Sequence, residues 1–253
     1  DNSQLGQILE LSDKLKLTDN SIFIYASDHG ISGKYGLYQK GLKIPFVMRW
    51  PGNLKQNTTS NSLLTIVDVL PTLVDIAGGN INSFDGKSFL PILKNQRNEI
   101  NDFIFGVSTR QNVRYGKVFP SRMVSDGSFK LILNFNSLDR YKKYLGENKF
   151  INEFIELGAK AYPNIPYEEL YDLKTDPFEK NNLANKSDYR ELIEELTNNL
   201  KKWMKAQGDF LLDDNMPLIK PTLHPLDKIS QWNDIDKSLV NKLDESDYIK
   251  SHY

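Results

Sequence analysis

Ser21-Ile22-Phe23-Ile24-Tyr25-Ala26-Ser27-Asp28-His29-Gly30 is the stretch on which the fold turns. Its first six residues form a nearly continuous β-branched and aromatic run, the pattern of a strand buried on both faces of a parallel sheet. The run breaks off at Ser27-Asp28-His29-Gly30. Ligands of open α/β sheets bind in the crevice beyond the carboxyl ends of the strands, so these polar groups stand where chemistry is expected.

Working outward, Leu5, Ile8, Leu9 and Leu15 fall near a helical period, and Thr18-Asp19-Asn20 supplies a turn before the strand. Ile44 to Trp50 is a second extended run, ended by Pro51-Gly52. From Leu63 to Ala77 the residues Leu63, Leu64, Val67, Leu70, Leu73, Val74 and Ala77 make one apolar helical face, closed by Gly78-Gly79. Pro71 lies inside that pattern and implies a kink or a new first turn. Phe103 to Val107 reads as another short strand. Alternating helix and strand predicts a mainly parallel α/β layer over residues 1–117.

After Lys117 the texture changes, and residues 118–253 read as a smaller α+β domain. Ser121–Ser125 and Phe129–Phe135 flank an Asp126-Gly127 turn of the type that joins hairpin strands. Glu169–Leu173 offers a third strand. Ser187 or Asp188 then caps a long amphipathic helix reaching about Lys205, with Leu192, Ile193, Leu196, Leu200, Trp203 and Met204 on one face. The tail from Phe210 holds three prolines and little periodicity, which predicts surface loop with one short helix near Asp234–Leu243.

Composition excludes several classes of function. Lys and Arg number 32 against 33 Asp and Glu, for a formal net charge of -1, so no global field draws the chain to nucleic acid or an anionic membrane, and any anion recognition is local. With zero cysteines there is no disulfide, thiolate metal site or cysteine nucleophile. No signal-peptide pattern and no apolar run of transmembrane length are visible.

Two candidate sites remain. Asp28 and His29, at a strand end and followed by a glycine, can present a carboxylate and an imidazole to one divalent cation; a capped turn with a satisfied histidine is the bland alternative. Lys34 follows Gly33 and precedes Gly36, Tyr38, Gly41, Lys43 and Pro45. It can hold an anionic oxygen as a compact point charge, or be one of several lysines on a solvated loop face with Lys40 and Lys43.

The string Ser27-Asp28-His29-Gly30, Gly33-Lys34, Leu37-Tyr38, Gly41, Ile44-Pro45-Phe46-Val47 and Trp50-Pro51-Gly52 resembles the sulfatase family of the alkaline phosphatase superfamily. So do Asp68 to Leu73, Phe84 to Leu93, and Glu169 to Leu173 with Thr175-Asp176-Pro177, Glu179 and Asn182-Leu183-Ala184. A narrower similarity, over Phe105 to Thr109, Phe119 to Val124 and Lys130 to Ile132 with Asn134 and Asn136, points to the heparan N-sulfatase (sulfamidase) branch. In that branch Arg110 falls where a histidine lies near the substrate. Arg122 reads either as part of that pattern or as a structural residue of the hairpin.

The resemblance implies the C-terminal half of an alkaline-phosphatase-like, mostly parallel sheet domain, followed by a smaller α+β domain with antiparallel strands and a long helix. It implies that Asp28 and His29 bind a divalent cation, usually calcium, and that Lys34 and Arg110 bind substrate, with Lys34 helping catalysis. The substrate it implies is a sulfated sugar or glycosaminoglycan carrying O- or N-sulfate. The family's nucleophile is a formylglycine made from the first residue of a Cys/Ser-x-Pro-x-Arg motif, and no such motif occurs here. The expectation is therefore a chain that starts partway through the catalytic domain, has the N-terminal half of that domain as its partner, and does not turn over alone. A phosphodiesterase or phosphonate hydrolase of the same superfamily and a non-catalytic truncated binding subunit are the alternatives. Periplasmic, secreted and lysosome-like compartments all suit the family.

Overall fold

Phe23–Ala26 folds as strand β1 and pairs antiparallel with β2 (Phe46–Arg49), in a register that sets Phe23 opposite Arg49 and Ala26 opposite Phe46. The molecule is seen in a computed structural model that describes residues 2–34, 36–108, 119–142, 155, 158–213, 215–219 and 248–252. Parallel neighbours were expected for β1, and the reason for the difference lies in the connection. A parallel crossover needs a dozen or more residues, usually with a helix that packs back on the sheet, whereas the described residues between β1 and β2 carry only the single turn α2 (Gln39–Leu42). Nor do the described residues cover β1 on both faces: Ile24 and Tyr25 are 37% and 44% exposed.

The described residues divide into two compact units, one of residues 1–34 and 40–104, the other of 35–39 and 105–253. In the first, α1 (Asn2–Lys14) leads into β1, and Lys16 ends it in the left-handed region at φ 57°. Pro71 does mark a first turn. A 3-10 turn at Ile66–Asp68 precedes helix α3 (Val69–Ile76), which starts two residues before the proline, where a missing N–H costs nothing. Asp68 is buried and ties this region together. Its carboxylate accepts from Thr65 N (2.9 Å), Lys87 N (2.8 Å) and Asn101 Nδ2 (2.9 Å), while Thr72 Oγ1 donates to its carbonyl and accepts from Phe89 N. Pro91 then opens the short helix α4 (Leu90–Leu93).

The second unit is a four-stranded sheet in the order β3-β4-β5-β6, with β3 at Ile104–Ser108, β4 at Ser121–Ser125, β5 at Phe129–Asn134 and β6 at Glu168–Asp172. β4, β5 and β6 are antiparallel, and Gly127, at φ 86°, makes the turn between β4 and β5. After the single turn α5 (Leu138–Arg140), the long helix α6 (Arg190–Ala206) packs against β4 and β5 through Ile193, Leu196, Leu200 and Met204. Leu131, Leu133 and Leu170 alternate on the strands and complete the apolar side.

The other side of this sheet is mostly polar yet buried. Ser121, Ser125, Lys130, Asn134 and Glu169 are all under 5% exposed, interleaved with Met123, Ile132 and Tyr171. Segment 36–39 covers them, with Leu37 in the same cluster as Met123, Ile132 and Tyr171. Beyond α6, β7 (Asn215–Ile219) pairs antiparallel with β8 (Tyr248–His252) where loop was expected. The short helix expected near Asp234–Leu243 lies outside the described residues.

Candidate functional site

Immediately after β1 the chain is bent by its own side chains. Ser27 Oγ donates to the His29 carbonyl at 2.6 Å, and His29 Nδ1 lies 2.7 Å from the Gly30 carbonyl. A carbonyl only accepts, so Nδ1 carries a proton, and Nε2 is the ring nitrogen turned toward Asp28. That nitrogen is 3.6 Å from Asp28 Oδ2, and the same oxygen is 3.9 Å from Lys34 Nζ. A carboxylate oxygen, an imidazole nitrogen and an ammonium thus converge on one point.

Two glycines make the convergence sterically feasible. Gly30 N donates to Gly41 O at 2.8 Å and Ser32 N to Lys40 O at 3.2 Å, bringing residues 30–33 against 40–41. A Cβ on Gly30 would lie 2.2 Å from the Lys40 oxygen, and one on Gly41 2.4 Å from the Gly33 oxygen. Both are backbone atoms with nowhere to go, so only glycine permits this approach.

Asp28 and Lys34 expose 75% and 54% of their side chains, and His29 exposes 37%. An exposed pair of this kind stabilises a fold by only ~0–1 kcal/mol. Among the described residues no group of three or more His, Cys, Asp and Glu side chains gathers as a metal site. The donors present nevertheless suit a share in one: bonds of about 2.0–2.6 Å from nitrogen and oxygen to one cation are compatible with the 3.6 Å between Nε2 and Oδ2. Arg110 lies outside the described residues.

Other residues singled out by the sequence are structural. Arg122 is buried, with Nε and Nη2 donating to the two carboxylate oxygens of Asp209 at 2.5 and 3.0 Å and Nη1 donating to the Ser121 carbonyl. Asp68 to Leu73 and Phe84 to Leu93 are joined by the Asp68 and Thr72 hydrogen bonds described above. What the sequence reading missed is the polar cluster on the β4-β5-β6 sheet. Lys130 Nζ donates to Glu179 Oε1 (2.7 Å) and to the Leu37 carbonyl (3.0 Å). Glu169 accepts from Tyr38 Oη, Tyr171 Oη and Asn134 Nδ2 at 2.6–2.8 Å. Burial lowers the Lys130 pKa, opposed by the bond to Glu179, and burial followed by the Glu169 charge raises that of Tyr171. Lys130, Asn134 and Glu169 alternate with apolar residues, which in a sheet with one wet face would put them in water.

The family model described as N-sulphoglucosamine sulphohydrolase, C-terminal, matches residues 27–153, starting at the serine of the site turn. The chain belongs to the sulfatase family. An ulvan-active sulfatase of Formosa agariphila is 46% identical to this sulfatase chain over 98% of it, and an N-acetylglucosamine-6-O-sulfatase of Bacteroides thetaiotaomicron is 26% identical over 82%. The chain spans 51% and 34% of the length of those two relatives. Among solved structures, one in complex with its substrate D-glucosamine-2-N,6-O-disulfate superimposes with a TM-score of 0.64 at 24% identity, over 82% of this chain and 39% of that one. This is the fold of the C-terminal part of sulfatases in the alkaline phosphatase superfamily.

Proposed function

We propose that residues 1–253 form the C-terminal part of an enzyme that hydrolyses sulfate esters or N-sulfate groups of a sulfated sugar or glycosaminoglycan-like polysaccharide. The observation that carries this reading is the convergence of Asp28 Oδ2, His29 Nε2 and Lys34 Nζ within 4 Å steps at a strand end. Relatives that act on ulvan and on N-acetylglucosamine 6-O-sulfate support a sulfated carbohydrate as substrate.

Asp28 and His29 are the residues that would hold a divalent cation, calcium by family resemblance. Such a cation, when bound, supplies positive charge and Lewis acidity at a sulfate oxygen. The hydrogen bond from His29 Nδ1 to Gly30 O orients the ring with Nε2 toward Asp28. Lys34 contributes a second positive charge to the sulfate oxygens, and Asp28, 3.9 Å away, keeps its ammonium turned toward the turn. The nucleophile comes from outside these residues, because the chain contains no cysteine and no Ser-x-Pro-x-Arg motif. Arg110 is a further substrate contact by family resemblance.

The decisive experiment is Lys34→Ala in the full-length protein carrying this segment, with formylglycine confirmed by mass spectrometry, assayed on a sulfated sugar. Loss of a preorganised charge-stabilising group costs about 10²–10³ in rate. Catalytic efficiency within about threefold of the parent would remove Lys34 from the chemistry.

A further inference from the structure

Ile31 is 96% exposed, in the middle of the turn that carries Asp28, His29 and Lys34. A lone apolar side chain on a protein surface is ordinary, but this one is held in place from both sides. Gly30 N donates to Gly41 O at 2.8 Å and Ser32 N to Lys40 O at 3.2 Å, so both residues flanking Ile31 are fastened to the same neighbouring segment. Branching at its own Cβ restricts χ1 as well. The side chain therefore has few directions to take, while nearly all of its surface is open to water. Phe178, also strongly exposed, at least carries the Lys180 ammonium over its ring. With consecutive Cα atoms about 3.8 Å apart, the Cα of Ile31 lies at most roughly 8 Å from that of His29 and roughly 11 Å from that of Lys34.

We propose that Ile31 is a substrate-binding residue of this site and takes the apolar C–H face of the sugar ring that bears the sulfate. The proposal rests on the functional reading of Asp28, His29 and Lys34 given above, and it adds what those three side chains lack. Each of them is polar or charged and serves the sulfate oxygens or a cation. None offers a surface to the carbons of the sugar. A sugar ring is amphipathic, with hydroxyls around its rim and C–H bonds on its faces, and covering a C–H face with an aliphatic side chain removes apolar surface of both from water. A contact held ready by a fixed backbone and a stiff rotamer also costs little ordering when the substrate arrives. Ile31 would then raise affinity for the sugar without acting on the sulfur, so its contribution falls on KM.

The test is Ile31→Thr, which keeps the branch at Cβ but makes it polar, and Ile31→Val, which keeps the apolar face. Both are made in the full-length protein with formylglycine confirmed, and kcat, KM and inhibition by inorganic sulfate are measured with the sulfated sugar used for Lys34→Ala. An apolar group in an enclosed pocket discriminates by about 10- to 200-fold, and at an open turn, where one side of Ile31 meets the ring, Ile31→Thr is expected to raise KM about 5- to 20-fold with kcat within about threefold. Ile31→Val should stay within about threefold of the parent. Inorganic sulfate has no C–H face, so its inhibition constant should stay parental in Ile31→Thr. A KM within about twofold of the parent in Ile31→Thr overturns the proposal. So does a parallel weakening of inorganic sulfate, which would mean that the turn had moved, and so does a loss of folding or a lowered melting temperature, which would mean that Ile31 is a packed residue of the full-length protein. Lys34→Ala, measured alongside, separates the two claims: parental efficiency there removes the functional reading, whereas a crippled Lys34→Ala beside a parental Ile31→Thr removes only the contact at Ile31.

Discussion

Replacing Gly30 by alanine should damage the enzyme far more than its two added hydrogens and one carbon suggest. The new Cβ would lie 2.2 Å from the Lys40 oxygen and 2.9 Å from its carbonyl carbon. An ordinary contact of carbon with oxygen begins near 3.4 Å, so residues 30 and 40 must part by about 1 Å, and both obstacles are backbone. Parting them stretches the 2.8 Å bond from Gly30 N to Gly41 O beyond hydrogen-bond range. Overpacking of this type costs ~1–3 kcal/mol of stability. The larger effect is on rate, since His29 precedes the moved residue and Lys34 follows it: about 10²-fold in kcat/KM for a 1 Å misplacement. Gly6→Ala is the matched control. Gly6 lies within α1 with nothing inside 4 Å of the added carbon, and should gain ~0.5–1 kcal/mol with unchanged rate. Thermal melts and steady-state kinetics on the full-length protein read both quantities. If Gly30→Ala kept catalytic efficiency within threefold, the close approach of residues 30 and 40 would not be what shapes the site.

Asp209→Ala strands the buried Arg122 guanidinium and is expected to cost about 3–5 kcal/mol in denaturant unfolding, whereas the double substitution Arg122→Met/Asp209→Leu should recover most of it. A loss below about 1 kcal/mol for the single variant would contradict the burial of that pair. Tyr171 has its pKa raised in the folded state, so its contribution to stability is complete below the unfolded value near 10 and is lost as pH rises above it. Ultraviolet titration should show it ionising only with alkaline unfolding, a late phase that Tyr171→Phe removes. Calorimetry on residues 1–253 should find no submicromolar calcium affinity, because Asp28 and His29 fall short of the six to eight oxygen ligands that calcium takes.

The site turn was legible because its chemistry is local. Strand end, Asp28, His29, glycine and Lys34 are contiguous, and a period-2 or apolar run places them with little help from the rest of the chain. The hairpin β4-β5 was readable for the same reason: its Asp126-Gly127 turn and flanking alternation lie within fifteen residues, and the strands begin and end almost where the pattern says. The direction of pairing at β1 was not readable, since a buried-looking run looks alike in parallel and antiparallel neighbours. The cluster of Lys130, Glu169 and Glu179 escaped for a different reason. Its partners Leu37, Tyr38 and Gln39 lie more than ninety residues away in sequence, so period and propensity carry no trace of them. Arg122 shows the same blindness, its role being decided by Asp209 at a separation of 87 residues.

Asp68 gives the first unit an unusual tolerance. With Thr65, Lys87 and Asn101 all fastened to one carboxylate, and Ser88 Oγ bound to Asp75, the excursion from Gly78 to Asp85 begins and ends at fixed points that do not depend on what lies between. Closing a longer loop on anchors already in place adds only about 0.6 kcal/mol per doubling of its length. Evolution can therefore lengthen, shorten or rewrite residues 80–83 with little penalty to the fold, which makes that excursion a place where sulfatases of this kind can diverge while Gly79, packed against Val74, stays a glycine.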